Sequence, residues 1–137
     1  MKRLTTAYLL DKEKIESIIL KNWALVEQSV KPFFLVIYSR NTEFTKATIY
    51  PVDYELVSKV IIGGANIDQS VIAEIARILV DFEILHTSGI VAISDGFLYE
   101  MYIAGEFGTR SEIKEYYYKL RKIPGVESLE EEWIALS

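Results

Sequence analysis

The residues of this chain whose types and spacing could do chemistry are few: His86, the pair Gly63-Gly64, the stretch Asn66 to Ser70, and an acidic run near the end. His86 is the only histidine. A zinc site would need several carboxylates converging on it, and no metal-ligand spacing is present. As a general base it would need a nucleophile and an orienting partner, which the sequence does not supply, so it is read as a structural residue or a ligand contact. Gly63-Gly64 has the makings of a cradle for phosphate or carboxylate. It lacks a Walker or dinucleotide pattern, and glycine just as readily stops a buried strand. Asn66 and Asp68 offer oxygens to a ligand's ammonium group or, more plainly, to the first amides of a following helix. Glu127, Glu130, Glu131 and Glu132 have the oxygens for a divalent cation. On a strand they alternate faces and do not converge, which favours a solvated edge. No nucleophile–base constellation, cofactor fingerprint or metal set emerges, so the expectation is a non-catalytic protein with no cofactor and no metal.

Those residues must be positioned by an α+β scaffold. Leu4 to Leu10 reads as a strand, and Asp11 offers an N-cap to a helix from Lys12 to about Gln28 with Ile15, Ile18, Ile19, Trp23 and Val26 on one stripe. Phe33 to Tyr38 is a continuous apolar run, as in a strand covered on both faces. A polar turn at Arg40 to Glu43 leads to a return strand, Thr45 to Tyr50, which Pro51 should end. Val57 to Ile62 is a strand stopped by Gly63-Gly64. After the loop Ala65 to Asp68 a helix runs from about Gln69 to Phe82, its stripe formed by Ile72, Ile75, Leu79 and Phe82. Ser88 to Ser94 pairs with Phe97 to Ala104 across Asp95-Gly96, a dipeptide suited to a tight type I′ turn. Thr109 and Glu112 fit a capping box for a helix through Leu120. Pro124-Gly125 closes that helix, and Val126 to about Leu136 is a last strand. The three consecutive tyrosines, Tyr116 to Tyr118, must point in three directions on that helix and so form no stacking platform.

Composition narrows the partners. Half of the 137 residues are hydrophobic and 26% are charged, which suits a folded globular protein rather than a disordered one. The net charge of −5 and a pI near 5.0 give no basic face for counterion release, so nucleic acid is not an expected partner. With no cysteine there are no disulfides and no thiolate chemistry, in keeping with a cytoplasmic location. No apolar run reaches the roughly 20 residues of a membrane span, and none forms a signal-peptide core. Abundant Ile, Tyr, Glu and Lys with only two glutamines, Gln28 and Gln69, match the bias of thermophile proteins.

The order of the second half, β-α-β-β-α-β, is the ferredoxin-like plan of a four-stranded antiparallel sheet with helices on one face, preceded by a βαββ unit. Within residues 57–137, Val60 to Gly63, Val71 to Leu79 and Asp95 to Met101 together resemble the ACT domain; residues 1–56 carry no such likeness and form an N-terminal subdomain, with one shared sheet as an alternative. The corner Leu120 to Glu127 is similar to the last helix-to-strand turn of ACT and related regulator domains. The resemblance implies a regulatory module that binds an amino acid or small anionic metabolite and works as a homodimer or larger homo-oligomer. It also implies a ligand at the loop before the first helix, here Gly63, Gly64, Asn66, Asp68, Gln69 and Ser70, where the family often carries Pro-Gly at the last two positions. His86 is included as a further ligand contact. The physical basis is the partial positive charge of a helix N-terminus. Bulky residues on both faces of Phe97 to Ile103 call for a covered outer face, supplied by the first half or by another subunit. A ligand-free assembly module and an enzyme on a ferredoxin-like scaffold are the alternatives.

Overall fold

In the computed structural model, alternating apolar strands and short polar turns produce seven strands and four helices among the described residues. Its described residues are 3–18, 24–40, 42–65, 68–80, 82–104 and 110–137, with backbone alone for residue 25 and residues 110–114. The order is β1 (Thr5–Asp11), α1 (Lys12–Ile18), α2 (Ala24–Glu27), β2 (Phe33–Arg40), β3 (Thr45–Val52), β4 (Leu56–Gly64), α3 (Gln69–Leu79), β5 (Ile84–Ile93), β6 (Gly96–Ala104), α4 (Arg110–Arg121) and β7 (Val126–Ala135). The class is α+β, with two antiparallel sheets. The chain divides into two compact units, one made of residues 1–57 and 133–137, the other of residues 58–132. The chain thus leaves the first unit within β4 and re-enters it within β7. Trp133–Ser137, placed in the second domain from sequence, belong to the first unit. There the Ser137 amide donates to the Leu9 carbonyl (3.0 Å) and the Leu136 amide to the Glu55 carbonyl (3.1 Å).

The first unit holds a three-stranded sheet in the order β1-β2-β3. Its ladders run from Thr5↔Ser39 to Asp11↔Phe33 and from Phe33↔Val52 to Arg40↔Thr45. Phe34, Leu35, Val36 and Ile37 of the central strand are all buried, as its unbroken apolar run requires. One core gathers Leu10, Ile15, Val26, Phe34 and Val36, with Tyr38 and Ile49 against it. Asp11 caps α1: its Oδ1 accepts from the Lys14 amide at 2.8 Å. The single helix expected from Lys12 to Gln28 corresponds to α1 and α2, and its Ile19 and Trp23 lie outside the described residues. Ile18, expected on the buried stripe, is exposed. Pro51 does not end β3, which continues to Val52 with Pro51 opposite Phe34. An edge strand has one side free of ladder bonds, so a missing N–H is tolerated there.

The second unit holds a four-stranded sheet in the order β5-β6-β4-β7. Both of its helices contribute to one core: Val71, Ile75, Ile78 and Leu79 from α3 and Leu120 from α4 pack with Val60 and Ile62 of β4 and Phe97, Met101 and Ile103 of β6. Each such aliphatic side chain contributes about 1.5–3 kcal/mol when fully buried. The buried stripe of α3 differs from the expected one. Val71, Ile75, Ile78 and Leu79 face the core, and Ile72 is exposed. The helix ends at Leu79, and Phe82 follows it to pack edge-on against Tyr116 at 4.3 Å between ring centroids.

The three tyrosines of α4 do diverge. Tyr116 meets Phe82, Tyr117 turns toward Ser58, and Tyr118 is exposed with the Lys122 ammonium 4.1 Å over its ring. Thr109 and the Glu112 side chain, proposed as a capping box, lie outside the described residues.

The β5–β6 hairpin forms, but its turn sits one residue earlier than expected. Ile93 pairs with Gly96, which makes Ser94-Asp95 the two-residue loop and Gly96 the first residue of β6. Gly96 has φ +152°, and a Cβ there would overlap the Gly64 carbonyl. In β5 the register shifts between Thr87 and Ile90, where Gly89 takes φ +69° with open space around it. The two glycines therefore separate backbone strain from crowding. Gly89→Ala should lower stability by about 1–2 kcal/mol, the left-handed penalty alone. Gly96→Ala should cost roughly 3 kcal/mol or more, because overlap with Gly64 adds to the strain. Urea-unfolding midpoints check this, and equal losses would count against the close approach at Gly96.

Candidate functional site

The corner between β4 and α3 collects most of the candidate site residues. Gly63 and Gly64 are not a stop after β4 but its last two residues. Their lack of a side chain is used by the packing. A Cβ on Gly63 would sit 2.5 Å from the Ser128 hydroxyl. One on Gly64 would overlap the Gly125 carbonyl and come within 2.5 Å of the Phe97 ring. Gly64 thus lies in a row with Gly96 and Gly125, the last at φ +101° in the turn after α4. Backbones approach here as closely as they can, which is one of the standing reasons for glycine in a strand.

From this floor the chain passes to α3. Asp68, extended at φ −130° and ψ 136°, is its N-cap: the carboxylate accepts from the Ser70 amide at 2.9 Å. The Asp68 carbonyl accepts from the Val71 and Ile72 amides at 3.1 and 3.2 Å. An anionic side chain already at a helix N-terminus is electrostatically well placed. Asp68, Gln69 and Ser70 are all exposed, while Asn66 lies outside the described residues. The corner therefore presents one carboxylate, one hydroxyl and one amide to solvent above a tightly packed glycine floor. A carboxylate and a hydroxyl at a helix start suit a small zwitterion better than a phosphate, which Asp68 would repel.

His86 does not join this corner. It sits on β5 opposite Tyr102, their ring centroids 6.0 Å apart, whereas the β4–α3 corner lies by Gly96 at the far end of the hairpin. Ile93 is seven positions along the strand from His86, on the order of 20 Å in extended chain.

Near His86 stands a feature that neither motif nor spacing suggested. Lys59 of β4 and Glu100 of β6 form an ion pair at 3.2 Å with side chains 2% and 0% exposed. The Lys59 ammonium also lies 5.6 Å from the centre of the Tyr102 ring. The signal was present in the sequence as a charge in each of two apolar strands, since a buried charge demands an opposite partner. Removing one partner strands the other, whereas an apolar pair of similar volume is often tolerated. Lys59→Met should cost roughly 3–5 kcal/mol, and Lys59→Met/Glu100→Leu should recover most of that loss. Chemical denaturation of the two variants is the check, and a double variant as unstable as the single one would show that the charges are not coupled.

On the helix side of β4, Ser58 donates to Glu131 of β7 at 3.1 Å and lies 3.4 Å from the Tyr117 hydroxyl of α4. This link ties both neighbours to β4. Burial pushes the Tyr117 hydroxyl well above the usual phenol range; the hydrogen bond with Ser58 opposes the shift, and the nearby Glu131 carboxylate adds to it. The folded chain therefore holds this proton to higher pH than the unfolded one, which releases it near about pH 10. That contribution is complete below about pH 10 and is lost as pH rises toward the folded value. Wild type should lose stability more steeply than Tyr117→Phe above about pH 10, with parallel profiles below it. Denaturant midpoints from pH 8 upward measure the difference.

Among the described residues no cluster of three or more histidine or acidic side chains could hold a metal ion. No described helix is long and apolar enough to cross a membrane. Compared with protein-family models, with curated proteins and with solved structures, the chain has no match.

Proposed function

We propose that this chain is a non-catalytic regulatory module that senses a small, amino-acid-like molecule and acts through oligomerisation, with a ferredoxin-like, ACT-like second unit. The observation that carries the reading is one of topology. The run β4-α3-β5-β6-α4-β7 with strand order β5-β6-β4-β7 puts the first and third strands of the motif at the centre and the second and fourth at the edges. Residues of α3 and α4 in one core with β4 and β6 fit helices on a single face. Fold alone does not carry function, so the reading leans also on the exposed Asp68 and Ser70 at the β4–α3 corner. There the ligand's ammonium would meet Asp68 and its carboxylate the Ser70 hydroxyl. One ion pair and one hydrogen bond, placed at the two ends of a small ligand, are enough to fix its orientation.

A thermal-shift screen across the amino acids, with oligomer mass recorded on the same sample, tests this. A ligand at 100 times its dissociation constant adds about 2.7 kcal/mol and a clear rise in Tm. One selective amino acid is the expected result, and Asp68→Asn, which keeps the helix cap while removing the charge, should abolish its effect. A flat screen on a stable oligomer would instead favour a ligand-free assembly module.

A further inference from the structure

The open end of the first unit's sheet carries a second set of groups unrelated to that corner. A groove of about 470 Å³ is lined by Arg3, Thr6, Tyr8, Tyr38 and Arg40, with Leu4 and Thr5 completing it. Strand pairing explains how they meet. Thr6 lies opposite Tyr38 and Tyr8 opposite Val36, so by alternation Thr6, Tyr8, Tyr38 and Arg40 share one face. This is the face whose other end packs Leu10, Phe34 and Val36 against the helices, and Tyr38 borders that core. Beyond it the sheet surface turns from aliphatic to aromatic and cationic. Tyr8 and Tyr38 stand edge to face, 6.0 Å between centroids, and Tyr8 is 49% exposed.

We infer that this groove is a binding site for a small anion bearing a planar ring, either a nucleoside monophosphate or an aromatic carboxylate. Charge selects the anion. Two guanidinium groups line the groove, and among the described residues lining it none is acidic, although the whole chain carries −5. A guanidinium offers paired donors to the two oxygens of a carboxylate or phosphate. The exposed Tyr8 and its partner Tyr38 supply π-surface for a ring, and the Thr6 hydroxyl supplies a further hydrogen bond. The volume lies within the range of small-molecule sites, about 300–1,000 Å³. Overall acidity disfavours a long polyanion, which would meet the rest of the surface as well. This site is independent of the proposed amino-acid site at Asp68, and either can fail without the other.

Isothermal titration of the full chain with adenosine monophosphate, benzoate, adenosine and inorganic phosphate tests the inference. Saturable binding of adenosine monophosphate or benzoate, tighter than adenosine and phosphate alone, is expected, and the stronger of the two identifies the source. Arg40→Gln and Tyr8→Leu, both at exposed positions and verified as folded by their Tm, should each weaken that binding at least tenfold, while Asp68→Asn leaves it unchanged. The inference is overturned if neither ring-bearing anion binds up to millimolar concentration, if adenosine or phosphate alone binds as well, or if both groove variants bind like wild type. Tighter binding of a single-stranded oligonucleotide than of the mononucleotide would also overturn it.

Discussion

Three backbone segments of the second unit meet where no side chain can intervene. Gly64 ends β4 against the carbonyl of Gly125 and the ring of Phe97, and Gly96 starts β6 against the carbonyl of Gly64. This contact fixes the end of the sheet from which α3 departs and to which β7 returns. The distance at which Val71 and Ile75 of α3 reach Val60 and Ile62 of β4 follows from it, because a Cβ at Gly64 or Gly96 would push the strands apart beneath the helix. Close packing admits little give of that kind. The exposed Asp68, Gln69 and Ser70 inherit their position from the same contact, only a few residues along the chain.

The two faces of this sheet solve different problems. The helix-bearing face is built on an apolar core and also carries the Ser58–Glu131–Tyr117 link. The opposite face carries Lys59, Glu100 and Tyr102, each essentially inaccessible to solvent. An ion pair so placed is weak evidence for stability, since desolvation offsets much of its attraction. Its stronger effect is on registry: Lys59 meets Glu100 in only one alignment of β4 with β6, and a slip of one residue would send the two charges to opposite faces.

Much of the scaffold was legible in the residues. Asp11 announced a cap, the unbroken run Phe33 to Tyr38 announced a doubly buried strand, and three adjacent tyrosines had to diverge. The misreadings share a cause, which is that one residue type serves two physical ends. Gly63-Gly64 looked like punctuation and proved to be clearance for Ser128, Phe97 and Gly125. In α3 the apolar residues cover a wide arc, so periodicity alone could not decide between Ile72 and Val71 as the inward position. Pro51 reads as a stop because it cannot donate into a ladder, but β3 is an edge, where a missing N–H is tolerated. Of the candidate site, the sequence brought out the corner residues but could not show that His86 lies at the far end of the hairpin. The pairing of Lys59 with Glu100 and the placement of Tyr8, Tyr38 and Arg40 along one groove depend on strand order and register, which no local pattern contains.

The path of the chain between its two units has a consequence for how the protein is made. Residues 1–57 begin the first unit, but Trp133–Ser137 complete it, with Leu136 bridged to Leu9 and Ser137 bonded to the Leu9 carbonyl. During synthesis, which proceeds at about 5–20 residues per second, the second unit is therefore fully translated before the first can close. The strands β1, β2 and β3 are all made early, but the segment that bonds to Leu9 and Glu55 is made only after the entire intervening body. The first unit therefore gains its last backbone hydrogen bonds only after the second has been translated.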